Sequence, residues 1–164
     1  MNKQFLILLF LNLIVFPVSS QETVNKIYSE GANAIAQIDD AISLAANKNS
    51  HILVIIGGDW CKWCIRLETF IMQNAKIDSL IKADYVTIHI NYSKENKNPE
   101  AMARLGFPQR FGFPVMVILN EKGERIHTQN TGYLEDGEGY SEDKILDFLK
   151  LWNRKALDKS TYPN

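Results

Sequence analysis

Cysteine is scarce: the chain of 164 residues has two, Cys61 and Cys64, and no others. That excludes a small domain held by a disulfide framework, and at this length one domain buries a core without such staples. An excess of one charge is also missing, with 18 basic against 19 acidic residues for a formal net charge of −1. A nucleic-acid partner, whose phosphates call for a basic face, is therefore not indicated. No apolar run approaches the ~20 residues that span a bilayer, and no internal repeat or low-complexity tract stands out. What is left is the composition of an ordinary globular domain.

The N-terminus has its own grammar. Lys3 supplies a charged start, Phe5 to Phe16 is apolar except for Asn12, and Pro17-Val18-Ser19-Ser20 brings small residues. This reads as a signal peptide over residues 1–20, cleaved before Gln21, leaving residues 21–164 as one exported domain in a periplasm or a comparable compartment. The competing reading is a membrane anchor, for which the run is too short. No cysteine stands at the cleavage point to carry a lipid. Outside the cytoplasm a lone pair of cysteines closes on itself unless something reduces it.

Along the rest of the chain the pattern is that of alternating helices and strands. Glu22 to Asn33 reads as a short edge strand or an ordered lead-in. Ala34 to Lys48 is an amphipathic helix with Ile35, Ile38, Ile42 and Ala45 on its apolar face. Ile52–Ile56 is a β-branched run buried on both faces. Ile65 to Asn74 and the stretch around Ile77, Leu80 and Ile81 are helical, and Tyr85–Asn91 is a strand. Pro99 opens a helix over Glu100–Leu105. Val115–Leu119, the turn Asn120–Gly123 and Glu124–Thr128 form a β-hairpin. Thr131 to Gly139 is an acidic loop, and Ser141 caps a last helix whose apolar face is Ile145, Phe148, Leu149 and Trp152. The order β-α-β-α-β-α-β-β-α, its first strand resting on residues 22–33 alone, implies a mixed central sheet with helices on both faces.

The chemistry lies at Gly57-Gly58-Asp59-Trp60-Cys61-Lys62-Trp63-Cys64, where a strand turns into a helix. Free N–H groups and the positive end of the helix dipole favour a thiolate there. Two cysteines spaced C-x-x-C within one helical turn can cycle between dithiol and disulfide, although the same spacing also serves metal sites.

Three features in order resemble the thioredoxin-fold family, specifically exported thioredoxin-like proteins with a Trp-Cys-x-x-Cys motif. They are Trp60-Cys61-Lys62-Trp63-Cys64, then Phe111-Gly112-Phe113-Pro114 entering a strand about fifty residues later, then Gly132 before the last helix. The resemblance covers roughly Ala34 to Leu157 and implies an α/β thioredoxin-like fold. It assigns Cys61 as an exposed attacking nucleophile and Cys64 as a buried resolving cysteine. It makes Pro114 a cis-proline facing the disulfide, with Trp60, Phe113 and Pro114 forming the substrate-docking face. The buried acid many members carry would fall at Ile55 and is absent; Glu68, one turn after Cys64, and His89 on the next strand are candidates to handle the proton instead. A surface glutamate and an ordinary strand histidine are the competing readings. Lys62 lowers the Cys61 pKa if it is not screened, and Trp63 either contacts a partner or packs on the fold.

The resulting expectation is a monomeric exported thiol–disulfide oxidoreductase that reduces disulfide-containing protein substrates. It needs no cofactor beyond its own dithiol and no metal, and it draws on a membrane-embedded electron donor. Its reduction potential is expected between about −270 and −180 mV. The alternative is a binding module in which the two cysteines hold a soft metal such as Cu(I). Asn91-Tyr92-Ser93 matches a glycosylation sequon, and His51 and His127 lack the spacing of a metal site.

Overall fold

A computed structural model describes residues 26–162; the signal-peptide reading of residues 1–20 lies outside them. Helix α1 (Ala34–Lys48) starts where Asn33 accepts from the Ala36 N–H and ends at Asn49 in the left-handed region. Strand β1 (His51–Gly57) follows, then helices α2 (Lys62–Gln73) and α3 (Ala75–Asp84), strand β2 (Tyr85–Asn91) and helix α4 (Pro99–Arg104). The hairpin β3 (Val115–Leu119) and β4 (Arg125–Asn130) comes next. A two-stranded ribbon, β5 (Glu135–Asp136) and β6 (Gly139–Tyr140), leads to the last long helix α5 (Glu142–Trp152). The main sheet has four strands in the order β2-β1-β3-β4, with β1 parallel to β2 and antiparallel to β3, and β3 antiparallel to β4.

Strand alternation splits the core into two layers. Ile52, Val54 and Ile56 of β1, with Val115, Val117 and Leu119 of β3, pack against Ala34, Ile38, Ala41 and Ala45 of α1 and Met102 of α4. Leu53, Ile55, Met116 and Ile118 point to the other face, onto Leu67 and Ile71 of α2, Ile77 of α3, and Ile145, Phe148 and Leu149 of α5. β1 therefore lies in the middle of both layers, and its end is fixed on both sides where it delivers the cysteine turn.

One open alternative is settled and two segments depart from the sequence reading. Residues 26–33 form no strand; they are an ordered lead-in, held because Asp59 Oδ1 accepts from the N–H groups of Ile27 (3.2 Å) and Tyr28 (3.3 Å). The α1 face is shifted, with Ala34 and Ala41 buried while Ile35 and Ile42 are half-buried. The acidic stretch after β4 is a 3₁₀ turn (Thr131–Leu134) and the β5–β6 ribbon, not a plain loop.

Candidate active site

Cys61 is the N-cap of α2: its backbone is extended and its Sγ accepts from the Cys64 N–H at 3.2 Å. A disulfide joins Cys61 to Cys64, with Cα atoms 5.2 Å apart. The first turn of α2 contains no acidic residue, so no fixed carboxylate on that turn competes with a thiolate for the helix dipole. Cys61 is the more accessible sulfur, but it is not exposed as the resemblance implied: Cys61 is 7% accessible and Cys64 0%. The cover comes from Tyr28, which packs with both cysteines, and from Ile27, Trp63 and Phe113 around them. Lys62 is exposed, so any Coulomb pull on Cys61 is screened.

Trp60 is 59% exposed yet fixed in place. Its Nε1–H donates to the Tyr92 carbonyl at 2.8 Å, and its ring meets Phe113 edge-on at 5.8 Å. Phe113 in turn tilts against Tyr92 at 4.7 Å. Gly58 permits this, because a Cβ there would collide with the Trp60 indole. The Phe113–Pro114 peptide bond is cis, and Pro114 is buried. An open groove of about 780 Å³ runs beside Trp60, bordered by Tyr92, Lys94 and Lys97. Trp60 and Phe113 thus meet beside the disulfide, and Pro114 follows directly.

Glu68 and His89 are also brought together. Glu68 is one turn past Cys64 on the inner face of α2, only 6% exposed, and its Oε1 lies 2.6 Å from His89 Nε2. His89 pairs in register with Ile55, the strand position at which related proteins would carry the acid. The surface-glutamate reading is therefore corrected: an unpaired buried carboxylate would be costly, and His89 supplies its partner. Trp63 packs on the fold, edge-on to Tyr140 at 5.6 Å with the Arg66 guanidinium 4.8 Å from its ring. Burial pushes the Tyr140 hydroxyl up to about 12.

Sequence reasoning missed Tyr28, Gly57 and the anchoring role of Asp59. A Cβ on Gly57 would come within 2.5 Å of Cys64 Sγ, a close approach that a glycine ending a buried strand can signal. Tyr28, alone with Ile27 in a polar stretch, had no periodicity to reveal it. The sequon asparagine is 2% exposed and spends its amide on Ser93 and Asn96, so it is not presented for modification in the folded chain. His51 bonds the Trp152 carbonyl at 2.8 Å and His127 stacks on Trp152 at 4.1 Å, tying α5 to the sheet. Among the described residues no group of three or more His, Cys, Asp or Glu is placed to hold a metal, and the copper alternative gains no support.

A central sheet between helices, carrying a C-x-x-C disulfide at a strand–helix turn, defines a thioredoxin-type thiol–disulfide oxidoreductase. The family model for the Thioredoxin-like domain matches residues 38–142, and the chain belongs to that family. Disulfide bond reductase DsbH of Chlamydia pneumoniae is 24% identical over 119 residues, which cover 68% of this chain and 70% of that protein. Thiol:disulfide interchange protein DsbD of Pasteurella multocida is 23% identical over 118 residues, 71% of this chain but 19% of its own length. Among solved structures, a disulphide isomerase from Xylella fastidiosa Temecula1 has a TM-score of 0.69 at 27% identity, covering 77% of this chain and 96% of that one. A thioredoxin from Thermus thermophilus shares the fold, with a TM-score of 0.52 at 19% identity over 72% of this chain and 85% of its own.

Proposed function

We propose that the protein is an exported reductant of protein disulfides. Cys61, the more accessible sulfur at the helix start, attacks a client disulfide as a thiolate; a mixed disulfide forms and one client sulfur leaves as a thiol. Cys64 then gives up its proton and attacks the Cys61 sulfur, forming the Cys61–Cys64 bond and releasing the second client thiol. Two electrons pass from protein to client, and the client sulfurs take up two protons from solvent, equal in number to the two the cysteines release to it. Trp60, Phe113 and Pro114 form the docking face for an extended client segment, Phe113 offering backbone groups and the aromatic rings offering contact area. The Glu68–His89 pair takes the Cys64 proton toward solvent, in place of the acid missing at Ile55.

The observation that carries the reading is Cys61 at the N-cap of an acid-free helix turn, disulfide-bonded to a fully buried Cys64. The direction is supported by the relative named as a disulfide bond reductase and by the lack of a histidine between the cysteines to stabilise the reduced form further. The signal-peptide pattern supports export of residues 21–164, which we take to act as a monomer, and no helix among the described residues is long and apolar enough to cross a membrane. A reductant outside the cytoplasm must be recharged from across the membrane, so its electron donor is membrane-embedded. Equilibration with glutathione followed by thiol trapping tests the direction. A potential between about −270 and −180 mV supports it, and one near about −120 mV would make the protein an oxidant.

A further inference from the structure

Tyr28 lies far from the motif in sequence, and the cycle above does not use it. Its side chain is wholly buried, yet its hydroxyl has no hydrogen-bond partner among the described residues. Orphaned buried hydroxyls are costly and uncommon. Phenylalanine would fill the same space without that cost, so packing does not explain the oxygen. Gly57 shows where it points: one Cβ position on that glycine would lie 2.5 Å from Cys64 Sγ and 3.0 Å from Tyr28 Oη. The oxygen and the resolving sulfur face the same gap, left open because Gly57 has no side chain. Asp59 fixes the Tyr28 backbone, and the ring stands edge-on to His89 at 5.7 Å.

We propose that the Tyr28 hydroxyl donates a hydrogen bond to the Cys64 sulfur once the disulfide opens, and thereby stabilises the reduced protein. This rests on the reading that Cys61 and Cys64 cycle. In the disulfide the hydroxyl and the Cys64 sulfur share the gap without a hydrogen bond between them, and opening the S–S bond frees that sulfur to turn toward the hydroxyl. A dithiol reductant supplies two electrons and two protons, the S–S bond breaks, and the reductant leaves as its own disulfide. Cys64 is then a thiol, or a thiolate after losing its proton to solvent, and the thiolate is the better acceptor. Tyr28 transfers no proton. It faces Glu68 on α2, Asp59 in the turn, His89 on β2 and Tyr140 on β6; burial first, then the Glu68 and Asp59 carboxylates, hold its pKa well above the usual tyrosine value.

Tyr28→Phe tests this with the ring kept in place. Wild type and variant are each equilibrated with glutathione and trapped. The variant is expected to shift about tenfold toward the disulfide, a potential about 30 mV more negative. In a Cys61→Ser background, the pH dependence of Cys64 alkylation should move to higher pH when Tyr28 becomes Phe, whereas a purely structural tyrosine would not move it. If wild type exchanges with glutathione while the variant matches it in both measurements, the Tyr28 inference is overturned and the oxidoreductase reading stands. If wild type does not exchange at all, both fall.

Discussion

The starts of α2 and α5 present the same backbone problem and solve it in opposite ways. At α5, Ser141 Oγ accepts from the Lys144 N–H at 3.4 Å, and Glu142 and Asp143 fill the first turn. Glu142 also reaches Asn74 Nδ2 and Lys76 Nζ, both at 2.6 Å. Free N–H groups and helix dipole are thus met by permanent oxygen and permanent charge, which stabilises the fold at all times. At α2 the cap atom is a sulfur, the first turn has no acid, and Tyr28, Cys61 and Cys64 form a buried cluster. The helix field there is left for a charge that exists only when the disulfide is open. One end is built for stability and the other is kept available for chemistry.

Removing the sulfurs breaks the comparison most severely. Cys61→Ser is expected to reduce disulfide turnover to the uncatalysed background, because the proposed nucleophile is gone. Cys64→Ser should still attack clients and then accumulate mixed disulfides, visible as reductant-sensitive adducts on a non-reducing gel. Adducts that form on Cys64 in the Cys61→Ser protein instead would reverse the assignment of the two roles.

Giving α2 the kind of start that α5 has is a milder change. Lys62→Glu places a carboxylate in the first turn, where it competes with a Cys61 thiolate for the dipole. Alkylation of reduced Cys61 at neutral pH should slow about two- to fivefold, with its pH profile displaced upward. An unchanged rate would mean that the helix start does not act on Cys61. The converse change, Ser141→Ala, removes an oxygen that serves stability alone. It should cost about 1 kcal/mol, or about 2–4 °C in thermal midpoint, and leave the reduction potential where it was. A shifted potential would show that the two helix ends are coupled.

The same contrast explains what could be read from the chain in advance. Ala34–Lys48 and Tyr85–Asn91 were recognisable to the residue, because the spacing of apolar residues leaves a local signature. Cys61 and Cys64 were recognisable because their chemistry and their strand–helix setting are adjacent in sequence. Tyr28 was not: its burial depends on Asp59, more than thirty residues away, accepting two backbone N–H groups. The Glu68–His89 contact likewise joins a helix to a strand, so both residues were candidates for handling the proton but nothing local showed that they pair. The β5–β6 ribbon was hidden by its length of two residues per strand, too short for any alternation to register. Residues whose role is set by a distant partner carry no local pattern.

The smallest expected effect belongs to the ion pair at the α5 start. Hydrogen bonds from Lys76 and Asn74 hold the Glu142 carboxyl below its usual range, and Glu142 holds Lys76 above its own. A lowered carboxyl pKa contributes stability that is present above the unfolded value of about 4.3 and lost as pH falls through the folded value. The raised lysine pKa contributes below about 10.4 and is lost as pH rises through its folded value. The pair therefore stabilises across the window between those values and fades at either end. Both groups are at the surface, so salt weakens the attraction and the contribution is slight. Replacing Lys76 with Gln should lower the thermal midpoint a little at pH 7, and by progressively less as the pH falls through the lowered Glu142 value. It should leave the exchange equilibrium with glutathione unchanged, and about 1 M salt should largely erase the difference from wild type. If the loss caused by Lys76→Gln does not shrink as the pH falls through the acid range, the ion pair is not the source of that stability.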